Sequence, residues 1–470
     1  LGIENPDESQ QYILSQIPVN EQWSYTLGGV YKHFEKHSFQ TLVVSRSHFN
    51  NSTIKYLDND DSSEANKTID YSSEEMENKV RFENTSRFGD YKLNVGANVD
   101  FVTYTNTSQL QKFYNNEIVN IDYNTKLNLV KWGFFGQISK NIFSERLSLS
   151  LGLRTDANNY SSEMNNMFKQ FSPRFSASYS LTNQWILNFN TGRYYQLPAY
   201  TSLGFKENDM LVNKQNKLQY ISVDHLIGGL EFRPSSTVLF SVEGFWKNYR
   251  NYPYSVNDSI SLANKGADFG VVGDEAVLST SKGHAYGAEF QTRINAKKGN
   301  LNLSYTLVRS EFDDSHGNFL PSSWDSKHLI ALTGIRELKN NWRIGGRWRF
   351  VGGLPYTPWD LEKSSFVDIW NISGGPSLDY SKLNSLRFSA FHQLDLRVDK
   401  SFYLNKITAK FYIDIQNIYN FQAEQADIVV RRQDANGNYV TTENGTKYIL
   451  ETLPNTSGTV LPTIGIILVF

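Results

Sequence analysis

The chain has no cysteine, only four methionines and twelve prolines in 470 residues, and no long apolar run. Without cysteine there is no disulfide framework, no thiolate nucleophile and no Cys-type metal site. The longest apolar run, Ile464 to Phe470, falls far short of the roughly 18 to 20 residues that a spanning helix needs. Charge of one sign is also missing. The 46 basic residues meet 48 acidic ones for a net charge of -2, so nothing marks the chain as a binder of nucleic acid. The eight histidines show no HExxH or zinc spacing, and there is no GxSxG, no Walker A and no GxGxxG between strand and helix. No catalytic residue, metal ligand or cofactor is assigned, and the chain does not read as an enzyme. The N-terminus, Leu1-Gly2-Ile3-Glu4-Asn5-Pro6, has neither a basic nor an apolar leader region. An export signal has been removed, or the chain begins inside a longer protein.

Aromatic residues are abundant. Phe 30, Tyr 27 and Trp 9 make up 14% of a chain whose mean hydropathy is -0.47. This pairing fits a membrane barrel, whose strands are apolar on alternate positions only. The dominant pattern is period-two alternation in segments of about ten to thirteen residues. Leu93, Val95, Ala97, Val99 and Phe101 alternate with Lys92, Asn94, Gly96, Asn98 and Asp100. Trp342, Ile344, Gly346, Trp348 and Phe350 alternate with Arg343, Gly345, Arg347 and Arg349. About seventeen such strands are predicted, near 23–31, 39–48, 79–88, 91–103, 127–139, 146–154, 171–180, 184–194, 220–232, 236–249, 284–295, 300–310, 327–336, 341–351, 390–402, 406–418 and 459–470.

The connections alternate in length. Short links such as Gly89-Asp90 and 181–183 are interleaved with long polar ones at 49–78, 104–126, 155–170, 195–219, 250–283, 311–326, 352–389 and 419–458. An outer-membrane barrel sorts its links in this way, with tight periplasmic turns and extended extracellular loops, whereas a soluble sandwich has no reason to. The expected fold is all-β, a transmembrane antiparallel β-barrel segment over 1–470 with those long links outside the cell. Bacterial barrels have even strand numbers, and the count here is odd. Counting hairpins back from the last strand puts residues 1–22 on the extracellular side. The expectation is therefore the C-terminal part of a barrel of about 22 strands, the size of a plugged transporter, with the plug not in this chain.

Several stretches resemble the C-terminal barrel of a TonB-dependent outer-membrane receptor of the Bacteroidetes type. They are residues 172–179 followed by Gly192-Arg193-Tyr194-Tyr195-Gln196-Leu197-Pro198; Ala285-Tyr286-Gly287-Ala288-Glu289-Phe290; Gly353-Leu354-Pro355-Tyr356-Thr357-Pro358; and residues 392–400 leading to Asp414-Ile415-Gln416-Asn417-Ile418-Tyr419-Asn420. The resemblance spans roughly 170–470 and implies energised import of a nutrient across the outer membrane of a Gram-negative bacterium. It further implies a plug domain and TonB as partners, acting through an N-terminal part that cannot be matched here. Ile466, Leu468 and Phe470 resemble the terminal signal read by the barrel-assembly machinery. The substrate is not implied, because the fold serves many ligands.

If the apolar faces meet lipid, the alternate faces line a lumen and meet a plug. Arg343, Arg347 and Arg349, Asp395 and Arg397, and Lys410 and Asp414 then stand on that wall, with mixed signs that suggest cross-strand ion pairs. Aromatic residues at strand ends fit an interfacial girdle. Tyr252, Tyr254, Tyr356 and Trp359, expected in loops, are the candidates for stacking on an extracellular ligand. The acidic runs 58–64 and 313–316 lack EF-hand spacing and read as solvated loop. Three alternatives stay open: a passive porin, a barrel scaffold whose lipoprotein partner supplies specificity, and a soluble β-rich binding protein or hydrolase.

Overall fold

A computed structural model describes residues 18–114, 117–265, 273–314 and 316–470. Residues 1–17, and the parts of the predicted links at 115–116, 266–272 and Ser315, lie outside the described residues. Seventeen long strands form one antiparallel sheet. They are β1 (Val19–Phe34), β2 (Ser38–Tyr56), β3 (Lys67–Phe88), β4 (Tyr91–Tyr114), β5 (Glu117–Ile142), β6 (Leu147–Asn158), β7 (Ser172–Ser180), β8 (Trp185–Gln196) and β9 (Ile221–Ser235). The order continues with β10 (Val238–Ser255), β11 (Val277–Ala296), β12 (Gly299–Asp313), β13 (Lys327–Glu337), β14 (Trp342–Val351), β15 (Phe391–Tyr403), β16 (Thr408–Gln416) and β17 (Leu461–Val469). Each pairs with its neighbour in sequence, an up-and-down meander. A short strand, Phe319–Pro321, adds to the end of β12. Among the described residues β1 pairs only with β2 and β17 only with β16, so the sheet has two edges.

Alternation fixes the two faces, because a one-residue slip would exchange them. Register carries the apolar set from strand to strand: Phe411 faces Ile466, Ile413 faces Ile464, and Trp348 faces Leu394. This face is not covered by a second layer. Phe134, Leu151, Val242, Ile413 and Ile464 stand 50–79% exposed. At about 25 cal/mol per Å² of apolar area, so wide a band in water is strongly unfavourable, and a hydrocarbon surround is what it fits. The buried cluster lies on the opposite face, built by Val102, Tyr104, Leu127 and Leu129 under residues of the long links.

All seventeen predicted strands form, and the short links stay short. Gly89 shows why one of them can: its φ of 55° closes the two-residue turn between Phe88 and Tyr91. The long links differ from expectation. Strand pairing continues through most of 49–78, leaving 57–66, and the 104–126 link narrows until Tyr114 pairs with Glu117. β3, β4 and β5 run 22, 24 and 26 residues, against about 9 to 11 for a membrane crossing. Beyond the apolar band the outer face turns polar while the inner face, with Tyr71, Tyr104 and Tyr123, is buried under the long links, so the hydrogen-bonded ladder persists after the apolar alternation has stopped.

Candidate functional site

The charged face of β14, β15 and β16 is the simplest part of the site. Arg347 pairs in register with Asp395, and Arg347 and Arg349 approach its carboxylate at 3.4 and 3.6 Å. Arg397 meets Asp399 at 2.9 Å and Asp414 on the next strand at 3.6 Å, with the Tyr412 ring 3.9 Å beneath its guanidinium. The expected cross-strand ion pairs are therefore present. Arg343, opposite Asp399, and Lys410, opposite Ser401, share this face. Arg347 is 48% exposed, so its pairing is worth at most about 1 kcal/mol. These charges hydrate and organise the wall more than they stabilise it.

A second node sits higher on β3, β4 and β5. Lys131 lies 2.9 Å from Glu77 and 3.7 Å from Asp100, and Lys79 also pairs with Glu77. The Tyr200 hydroxyl, from the link after β8, donates to Glu77 and accepts from the Lys131 ammonium at 2.9 Å. Above this node the links after β6, β8 and β10 fold down onto the polar face. Tyr160 donates to the Leu203 carbonyl at 2.8 Å, and Asn158 donates to the Tyr220 hydroxyl at 2.9 Å. Asn213, fully buried, donates to the carbonyls of Ser202 and Glu275 and accepts from the Val277 amide. One amide side chain thus pins two links together.

The remaining links interlock beside it. Asp325, fully buried, accepts from Arg309 and from the Ser310 amide and pairs with Arg387. Asn384 donates to the carbonyls of Asn264 and Pro321. Lys265 stands 2.5 Å from both Asp258 and Glu275. Burial works against its ammonium, but the carboxylates of Glu275 and Asp258 outweigh it and hold its pKa above the usual lysine value. Burial also pushes the Tyr380 hydroxyl up to about 12. Arg431 is buried, enclosed by the rings of Tyr439, Tyr448 and Trp370, and pairs with Asp58 at 2.5 Å. This contact joins the link after β16 to the link after β2. Lys55 likewise donates to the Gly374 carbonyl at 2.9 Å, and the helix Val367–Ser373 approaches β4. The long links together bridge the region between the sheet's two edges.

The four aromatic residues expected to meet a ligand are all engaged within the chain. Tyr252 and Tyr254 belong to β10 and not to a loop, because pairing with β11 continues past 249. Tyr252 packs edge-on against Phe312 at 4.8 Å, and the Tyr254 hydroxyl donates to the Ser259 carbonyl at 2.5 Å. Tyr356 stacks on Phe388 at 4.1 Å, and the Trp359 indole donates to the Asp427 carbonyl at 2.8 Å. Ile466 and Leu468 lie on the apolar face of β17, and Phe470 follows at 88% exposure. The acidic runs are spent within the chain: Asp60 accepts from the Ser62 amide and Asp314 from the amides of His316 and Asn318, closing turns, while Asp58 pairs with Arg431 and Asp313 accepts from the Ser281 hydroxyl and the Lys282 amide. Among the described residues no three His, Asp or Glu side chains are grouped to hold a metal.

The family model described as TonB dependent receptor-like, beta-barrel matches residues 3–418. No curated protein matches the sequence. Solved structures share the fold at low identity. The ferric yersiniabactin uptake receptor FyuA from Yersinia pestis is 11% identical with a TM-score of 0.62, covering 96% of this chain and 62% of its own. The ferripyoverdine receptor of Pseudomonas aeruginosa is 14% identical with a TM-score of 0.61, over 87% of this chain and 54% of its own. The copper transporter OprC is 14% identical with a TM-score of 0.60, over 95% and 65%. The chain spans a little over half to about two thirds of the length of these structures.

Proposed function

The chain belongs to the TonB-dependent receptor β-barrel family, and from that premise we propose that it forms the wall and mouth of an energised importer of an extracellular solute. It is a multi-pass β-barrel protein of the outer membrane. One observation carries the transport reading: an exposed apolar face on strand after strand, opposite a charged face that the long links fold over. The apolar face contacts lipid, the charged face lines the lumen, and the links form an extracellular cap.

The seventeen strands complete a barrel of about 22. Two open edges support this, since unpaired N–H and C=O groups inside hydrocarbon cost several kcal/mol each and closure removes them. A plug and TonB act through the rest of the polypeptide. Arg343, Arg347, Arg349, Asp395, Arg397, Lys410 and Asp414 face that plug. Ile466, Leu468 and Phe470 engage the assembly machinery. Tyr252, Tyr254, Tyr356 and Trp359, half-buried and each held by an internal contact, are the aromatic side chains of the cap offered to a ligand.

Growth on single limiting nutrients tests this reading in three strains: with the gene, without it, and with the gene but without TonB. The expected result is a nutrient whose use at low concentration needs both. A large, steady conductance of the complete protein in planar bilayers overturns it in favour of a porin.

A further inference from the structure

On the charged face below the cap, three arginines from separate strands surround a recess of about 250 Å³. Arg81 stands on β3, Arg154 on β6 and Arg174 on β7, with Phe135, Asn94 and Gln137 completing the lining. Arg81 lies 4.5 Å and Arg154 5.9 Å from the centre of the Phe135 ring, which therefore forms a flat floor between two cations. Arg81 has a carboxylate partner in Glu83 at 2.9 Å, and Arg154 has one in Asp156 at 2.5 Å. Arg174 differs. Its Nε donates to the Ser172 hydroxyl at 3.2 Å and its guanidinium lies 4.3 Å over the Tyr194 ring, but among the described residues no carboxylate pairs with it. Three guanidinium groups meet two carboxylates here, and no acidic side chain lines the recess.

We propose that this recess binds a carboxylate or phosphate group of the imported solute, with Arg174 as the fork that takes it. The proposal rests on the transport reading above and adds a substrate class to it. A guanidinium with both amino groups uncommitted matches the two oxygens of such a group, and a neighbouring excess of positive charge strengthens the contact. Position supports a passing solute. The folded-down links seat on β4 at Val102 and Tyr104, whereas the recess uses Asn94, eight and ten residues nearer the short-link end. A solute that has passed the cap reaches the recess next.

The test is isothermal titration of the complete protein in detergent with citrate, inorganic phosphate and, as a neutral control, glucose. Citrate or phosphate should bind saturably and glucose should not. Arg174→Gln should weaken binding tenfold or more, and Arg174→Lys, which keeps the charge but loses the fork, should weaken it by less than Arg174→Gln does, while heat-modifiable gel migration reports that each variant is folded. Arg81→Gln, expected to weaken binding similarly, serves if Arg174→Gln fails to fold. Absence of oxyanion binding, or equal affinity in the glutamine variants, overturns the proposal. If binding is absent while Arg174→Gln makes the rest of the polypeptide more sensitive to protease, the recess belongs to an internal acidic side chain, which also overturns it. TonB-dependent growth that persists alongside either failure leaves the transport reading standing.

Discussion

Asp325 joins three segments of the cap through one carboxylate. Its carboxylate is fully buried and is shared by Arg309, Arg387 and a backbone amide, which come from β12 and from the link after β14. Both arginines are a quarter to a third exposed and can turn to water, so removing the carboxylate costs less than breaking a fully buried pair, about 2 kcal/mol. Asp325→Ala should therefore speed protease cleavage within 352–390 by about thirtyfold, leaving heat-modifiable migration of the barrel unchanged. Unchanged cleavage would show that the network does not hold the cap. Lys265 gives the cap a pH signature. Its folded pKa is raised, so its contribution is complete below the ordinary lysine value of 10.5 and is lost as pH rises through the higher folded value. Cleavage in 256–265 should be flat from about pH 6 to 9 and rise above about 10.5, and Lys265→Met should abolish that rise.

At the scale of the strand, the two faces should respond oppositely to the same substitution. Phe411 and Leu396 lie on the exposed apolar face, where a lysine near the bilayer midplane should cost about 2 to 4 kcal/mol. Thr408 and Gln393 lie on the charged face and should accept it. Folding yield into outer-membrane vesicles measures both, and equal tolerance would remove the lipid assignment. The strands were legible because lipid on one side and water on the other impose period two on residues only a few positions apart. That signal ends where the lipid ends. Asn50, Asn51, Ser52 and Thr53 carry no apolar alternation, yet they pair with β1 and β3 as regularly as the residues before them. Residues 49–56 and 67–78 therefore read as loop in the sequence. The cap was illegible for a different reason. Arg431 with Asp58, Asn213 with Glu275 and Asn384 with Asn264 are contacts across 373, 62 and 120 positions, and no local spacing announces them. The recess around Arg174 was half visible: alternation gives the face of each arginine, and only the register across β3 to β7 brings them together.

At the scale of the whole molecule, the central question is whether the interlocked links separate during transport. In this arrangement Phe366 and Lys447 form an isolated antiparallel bridge between the link after β14 and the link after β16. Bridge partners lie about 4.5 to 5.5 Å apart at Cα, inside the roughly 4.4 to 6.8 Å range of a disulfide. Because the sequence contains no cysteine, a Phe366→Cys and Lys447→Cys pair can form only the intended bond within this chain. If the cap must open for solute to enter, the oxidised pair should abolish nutrient-limited growth and reductant should restore it, with each single variant growing normally. Unimpaired growth of the fully oxidised protein would mean that solute passes without separating these two links. Opening would then have to occur at the other seam, where Asn213 holds the links after β8 and β10.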